Sequence, residues 1–87
     1  MMNRSGDLKL GFGPIHVSFS CDGEFVTFQV YRNDEALGSP EQLSRADAVR
    51  EGQQIEASGH SDYLPAMSPS NVRLFGARLR TYGEDGT

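Results

Sequence analysis

The run from Ile15 to Arg32 constrains this chain more than any other stretch, because two alternating apolar segments flank the dipeptide Asp22-Gly23. Asp-Gly between such segments signals a β-hairpin with a two-residue type I′ turn, whose central positions need positive φ. A two-residue loop places Cys21 opposite Glu24, which pairs Phe19 with Val26, Val17 with Phe28 and Ile15 with Val30. All six large apolar side chains then share one face. The other face carries His16, Ser18, Ser20, Thr27 and Gln29, with Phe25 and Tyr31 among them. Strand side chains alternate with period two, so a slip of one residue would turn the apolar set toward water.

A two-stranded hairpin is marginal by itself, so the flanking segments must supply further strands or a covering helix. Leu8, Leu10 and Phe12 alternate with Lys9 and Gly11, which predicts a short first strand, ended by Gly13-Pro14 and antiparallel to Ile15–Cys21. The polar residues before it, about 1–6, are expected to fray. Past Arg32 the sheet is expected to end. Ser39-Pro40-Glu41-Gln42 reads as a helix start, with Ser39 as N-cap and Pro40 in the first turn, and Gly52 suits a C-cap. The expected helix covers about Pro40 to Glu51 with Leu43, Ala46 and Val49 as its apolar stripe, although Ser44 with Asp47 offers a competing, later cap.

Ile55 and Ala57 alternate with Gln54 and Glu56, which favours a short strand. The stretch from Ala57 to Asn71, with Gly59, Pro65 and Pro69, reads as a long loop whose sizeable apolar groups are Tyr63, Leu64 and Met67. Asn71 to Tyr82 can be read twice. Val72, Phe75, Leu79 and Tyr82 fall at helical spacing after Ser68-Pro69, whereas Phe75, Ala77, Leu79 and Thr81 alternate as a strand, with Gly76 as a bulge. The strand is the preferred reading because the hairpin needs partners. Residues 83–87 form a polar tail. The expected fold is a single small α+β domain: an antiparallel sheet of about four strands built on the 15–32 hairpin, with one covering helix.

Eighty-seven residues and a hydrophobic fraction of 37% allow one modest core. No run approaches the length of a membrane span, and the first ten residues lack the apolar centre of a signal peptide, so a cytoplasmic protein is expected. The single cysteine, Cys21, excludes an internal disulfide. Gly11-Phe12-Gly13-Pro14 lacks the third glycine and following helix of a phosphate-cradling loop.

Ser58, His60, Ser61 and Asp62 supply the residue types of a hydrolytic triad, yet neighbours in one loop lack the geometry of nucleophile, base and orienting acid. His16, His60 and Asp62 have no metal-ligand spacing. No catalytic residue, metal or cofactor is expected.

The net charge of −4 argues against general attraction to nucleic acid. Seven carboxylates between Asp34 and Asp62, against Arg45 and Arg50, make the middle of the chain anionic. That pattern suits an acidic surface meeting a basic protein partner, with Glu41, Asp47, Glu51, Glu56, Asp62 and Tyr63 as the contact residues. An inhibitor or regulator is the natural form. By analogy of size and charge alone, it would resemble small acidic anti-CRISPR or anti-restriction proteins of mobile elements. The alternative is a small-ligand or single-stranded nucleic-acid module that uses His16, Phe25 and Tyr31 on the polar sheet face with Arg73, Arg78 and Arg80. Open sheet edges also allow a homodimer through sheet extension.

Overall fold

The computed structural model describes residues 4–11, 13–64 and 67–84. Among these residues, five strands precede two helices: β1 (Arg4–Lys9), β2 (Ile15–Cys21), β3 (Phe25–Arg32), β4 (Glu35–Ala36), β5 (Glu41–Ser44), α1 (Arg45–Ser58) and α2 (Pro69–Glu84). All pairings are antiparallel. β1, β2 and β3 are consecutive neighbours, while β4 and β5 share the far edge of β3. The architecture is therefore the expected α+β fold on a central hairpin, with a larger sheet and a second helix.

The hairpin register differs from the expected one by two residues. Cys21 pairs with Val26, Phe19 with Phe28, Val17 with Val30 and Ile15 with Arg32. An even shift keeps every side chain on its expected face, so Val17, Phe19, Val26 and Phe28 are fully buried. The cause is the turn. Asp22 Oδ1 accepts from the backbone N–H groups of Glu24 and Phe25, both at 2.8 Å, and its own N–H donates to Phe25 O at 3.1 Å. The carboxylate thus organises a four-residue loop. These two N–H donors hold the Asp22 carboxyl below its ordinary pKa, with a smaller contribution from Arg45. The φ angles of type I′ occur instead at Asn33 (51°) and Asp34 (67°), which join β3 to β4.

The first strand runs from Arg4 to Lys9 rather than from Leu8 to Phe12; Phe12 lies outside the described residues. A tertiary contact draws the polar start into the sheet. The Arg4 guanidinium lies 4.7 Å from the centroid of the Tyr82 ring, and Gly6 leaves room for the Tyr82 hydroxyl, which would stand 2.7 Å from a Cβ there.

Helix α1 starts at the later cap. Ser44 Oγ accepts from Asp47 N at 3.1 Å, and Glu41–Ser44, expected as the first helical turn, pairs with Phe25–Phe28 as β5. The helix also runs through the segment expected as a strand, ending at Gly59 (φ 70°), whose N–H bonds Ile55 O at 2.8 Å. Its inward stripe is Ala48, Gly52 and Ile55; Ala46 is exposed. Gly52 is therefore a packing residue rather than a cap. A Cβ on it would lie 2.6 Å from Arg80 N and 2.7 Å from Gly76 O, so the two antiparallel helices touch backbone to backbone.

The 71–82 segment, preferred as a strand, is the body of α2, and the helical quartet Val72, Phe75, Leu79 and Tyr82 is buried to a residue. The sheet finds its extra strands in β1 and β5, so it does not require this segment. Gly83 and Glu84, expected in the tail, finish the helix, while 85–87 lie outside the described residues. Each helix end receives a cation from the other helix. Arg45 donates from Nε and Nη2 to Gly83 O at 3.1 and 3.0 Å, and Arg73 lies against Gly59 at the end of α1. Neither helix has a basic residue in its own last turn.

Both helices lie on the face of the hairpin that bears Phe19 and Phe28. Phe75 is fully buried there, with ring centroids 5.9 Å from Phe19 and 5.4 Å from Phe28. The opposite face carries Ser18, Ser20, Thr27 and a stacked His16–Tyr31 pair, 4.9 Å between centroids and 7° between planes. No helix among the described residues is long and apolar enough to cross a membrane.

Candidate docking site around Tyr63

The segment after Gly59 is turned by its own polar groups. Ser61 is buried; its hydroxyl accepts from Tyr63 N at 3.1 Å and its carbonyl from Leu64 N at 3.1 Å, and Leu64 O accepts from Met67 N at 3.3 Å. These bonds aim the Tyr63 ring back at the core. It meets Phe28 edge-on at 4.9 Å and 84°, and Phe75 at 6.2 Å and 68°. The hydroxyl reaches Glu51 Oε1 at 3.5 Å.

Among the described residues, Tyr63 is a wall of three concavities. The most apolar, about 340 Å³, lies between Ile15, Val30, Leu37, Tyr63, Leu64 and Met67, with Arg32 at its rim. A cleft of about 430 Å³ between α1 and the loop contains Glu51, His60 and Asp62. A smaller hollow of about 210 Å³ between Phe28, Leu37 and Tyr63 is bordered by Glu41. Burial raises the Tyr63 phenol above its ordinary pKa, and the negative charges of Glu51, Glu41 and Asp62 raise it further. Glu51 thus touches the Tyr63 hydroxyl, while Glu41 and Asp62 line neighbouring concavities that share its ring.

Of the six residues expected at an acidic partner surface, Glu41, Glu51, Asp62 and Tyr63 are brought together. Asp47 and Glu56 are not. Asp47 accepts a bond from Arg50 Nη2 one turn along α1, and Glu56 Oε1 holds Arg80 Nε at 3.1 Å. Arg80 also donates to Glu84 at 3.0 Å, and these partners, Glu56 foremost, raise its pKa.

The residues of the alternative site are divided between the two sides of the domain. His16 and Tyr31 stack on the outer sheet face, Phe25 is 38% exposed where β3 leaves the turn, and Arg73, Arg78 and Arg80 belong to α2 on the helical side. Nor is a triad assembled from the loop residues. The Ser58 hydroxyl bonds the backbone of His60, the Ser61 hydroxyl bonds that of Tyr63, and the imidazole of His60 faces Asp62 at 3.6 Å in open solvent. Among the described residues, no group of three or more His, Cys, Asp or Glu side chains could hold a metal ion.

Sequence reasoning missed the pocket walls Ile15, Val30 and Leu37. One signal was present for Leu37, a lone large apolar residue in a polar stretch, and it is 48% exposed. Its place is set by Leu37 N donating to Val30 O at 2.8 Å and by Gln29 Nε2, which donates to Leu37 O at 3.2 Å and Gly38 O at 3.3 Å. Comparison with protein-family models, curated proteins and solved structures finds no match for the chain.

Proposed function

We propose that the protein is a non-enzymatic interaction domain that binds a basic protein surface through the region around Tyr63, acting in the cytoplasm as an inhibitor or regulator. The observation that carries this reading is Tyr63 as the shared wall of the apolar pocket, of the hollow bordered by Glu41 and of the cleft that holds Glu51 and Asp62. Apolar centre and charged rim are the usual division of labour in an interface, the first supplying affinity and the second selectivity and association rate. The form resembling anti-CRISPR or anti-restriction proteins is proposed from size and charge only.

The test is affinity capture from native host lysate with nuclease present, at low and high salt. The bait is compared with a Glu41→Lys/Glu51→Lys/Asp62→Lys variant whose folding is checked by circular dichroism and melting temperature. The reading expects a discrete protein held by the native chain, weakened by salt and lost from the folded variant. Equal capture by both would refute it. Capture that disappears with nuclease would move the reading to nucleic acid.

A further inference from the structure

The pocket and one of its neighbouring carboxylates, Glu41, are arranged along β3 in a fixed order, and that order describes a ligand. Glu41 pairs with Phe28 at one end, Val30 and Leu37 form the middle, and Arg32, paired across the strands with Glu35, stands at the other end. Phe28 and Arg32 are four residues apart on one strand, a distance of about 13 Å. Along that length the surface changes from acidic to apolar, and the far end carries both signs of charge.

We propose that this groove recognises a short extended segment of a partner protein in which one bulky aliphatic or aromatic side chain is adjacent to an arginine or lysine. This rests on the reading of the Tyr63 region as a docking surface and names what docks there. The apolar side chain enters the space between Leu37, Tyr63 and Met67. The cation meets Glu41, which borders the adjoining hollow, and Glu51 and Asp62 add their field from the cleft beyond Tyr63.

The site is suited to this because it exists before binding. The Tyr63 ring is fixed by edge contacts to Phe28 and Phe75, and the Leu37 wall is fastened by Gln29 and by the Val30 carbonyl. A preformed pocket avoids the entropy cost of ordering its walls on binding. A pocket of about 340 Å³ has room for one large side chain and part of its neighbour, whereas a docked amphipathic helix would need a row of anchor sites.

Nitrogen-15 NMR titrations with three capped tetrapeptides test the inference: acetyl-Gly-Arg-Phe-Gly-amide, acetyl-Gly-Glu-Phe-Gly-amide and acetyl-Gly-Arg-Gly-Gly-amide. The Arg-Phe peptide is expected to shift the amides of Val30, Leu37, Tyr63, Leu64 and Met67. It should bind about tenfold more tightly than the Glu-Phe peptide, since like charge replaces attraction at three carboxylates. It should exceed the Phe-less peptide by tenfold or more, the effect of burying one aromatic group. A Glu41→Gln/Glu51→Gln variant should narrow the Arg-to-Glu ratio. Exposed Leu37, changed to Ala, should weaken both Phe peptides without unfolding the domain. Equal binding of the Arg and Glu peptides, shifts on the outer sheet face, or no binding by any peptide would overturn the inference. If the lysate partner is lost from the charge-reversed variant while the peptides bind equally, the segment chemistry fails and the docking surface stands. If the peptides bind as expected while that variant keeps its lysate partner, the docking reading fails and the peptide preference stands.

Discussion

Changing Gly52 to alanine sets two physical effects against each other, and the structure says which wins. Helix propensity favours the substitution by about 1 kcal/mol. Packing opposes it. A Cβ at Gly52 would sit 2.6 Å from Arg80 N, 2.7 Å from Gly76 O and 2.8 Å from Arg80 Cβ, whereas ordinary contact begins at 3.4 Å. Two of these obstacles are backbone atoms of α2, so no rotamer relieves the clash. The helices must part by about 0.8 Å, and a gap of that size forfeits a quarter to a half of the dispersion energy between atoms that had been in contact. Overpacking costs about 1–3 kcal/mol, and rigid obstacles place this case at the upper end. The net expectation is destabilisation by about 2 kcal/mol, a fall in melting temperature of roughly 8–16 °C for a domain of this size. Urea titration followed by circular dichroism measures it, with exposed Gln53→Ala as a control for propensity. Gly52→Ala as stable as the native chain, or more so, would refute the backbone-contact argument. Gly76→Ala extends the test, because its Cβ would stand 2.9 Å from Gly52 O. Helices already parted by the first change accommodate the second, so the double variant should cost less than the two singles together, by about 1 kcal/mol.

Spectrophotometric titration of the phenols, with Tyr63→Phe subtracted to isolate the signal, should show Tyr63 ionising above the ordinary range; Glu51→Gln should lower that midpoint only in part, because burial is the larger cause. Since the folded state retains this proton longer than the unfolded chain does, its contribution is complete below about pH 10 and is lost as pH rises through the folded value. At Asp22 the sign is reversed: its depressed carboxyl contributes above about pH 4 and loses that contribution as pH falls through the lower folded value. Asp22→Asn, with an oxygen that can still accept both turn bonds, should flatten the acid limb of the stability profile, and an unchanged limb would assign acid sensitivity to other carboxylates. Phe75→Ala removes the ring shared by Phe19, Phe28 and Tyr63 and should destabilise by about 3–5 kcal/mol in the same urea assay.

The sheet faces were legible because a period of two survives any even shift, which is why Val17, Phe19, Val26 and Phe28 were placed correctly under a register that was not. The register itself depended on Asp22 using its side chain in the turn, which the dipeptide Asp-Gly does not reveal. In α2 the helical quartet was visible but competed with a strand pattern, and the choice followed from an assumed shortage of strands. β1 and β5 meet that need from polar segments whose pairing is decided by distant contacts, Arg4 with Tyr82 and Phe25–Phe28 with Glu41–Ser44. Gly52 resembled a helix end because a sequence cannot show the other backbone resting against it. At the candidate site, the acidic residues and Tyr63 were legible from charge and loop composition. The pocket beside them was not: Ile15 and Val30 were legible as one apolar face of the hairpin, but Leu37, which joins them, follows a separate strand and meets them only in space.

The clasp of Arg4 and Gly6 on Tyr82 joins nearly the two extremes of the described chain, and it sets a timetable during synthesis. The hairpin can form as soon as β3 leaves the ribosome, but its Phe19–Phe28 face then stays bare while the remaining residues are made. Only when the last turn of α2 emerges can Tyr82 stack on Phe19 and fasten the first strand. Until then the nascent sheet displays an apolar face and a loosely held edge, the surfaces on which chaperones act and aggregation begins. For this domain, closure of the fold waits on the last turn of α2.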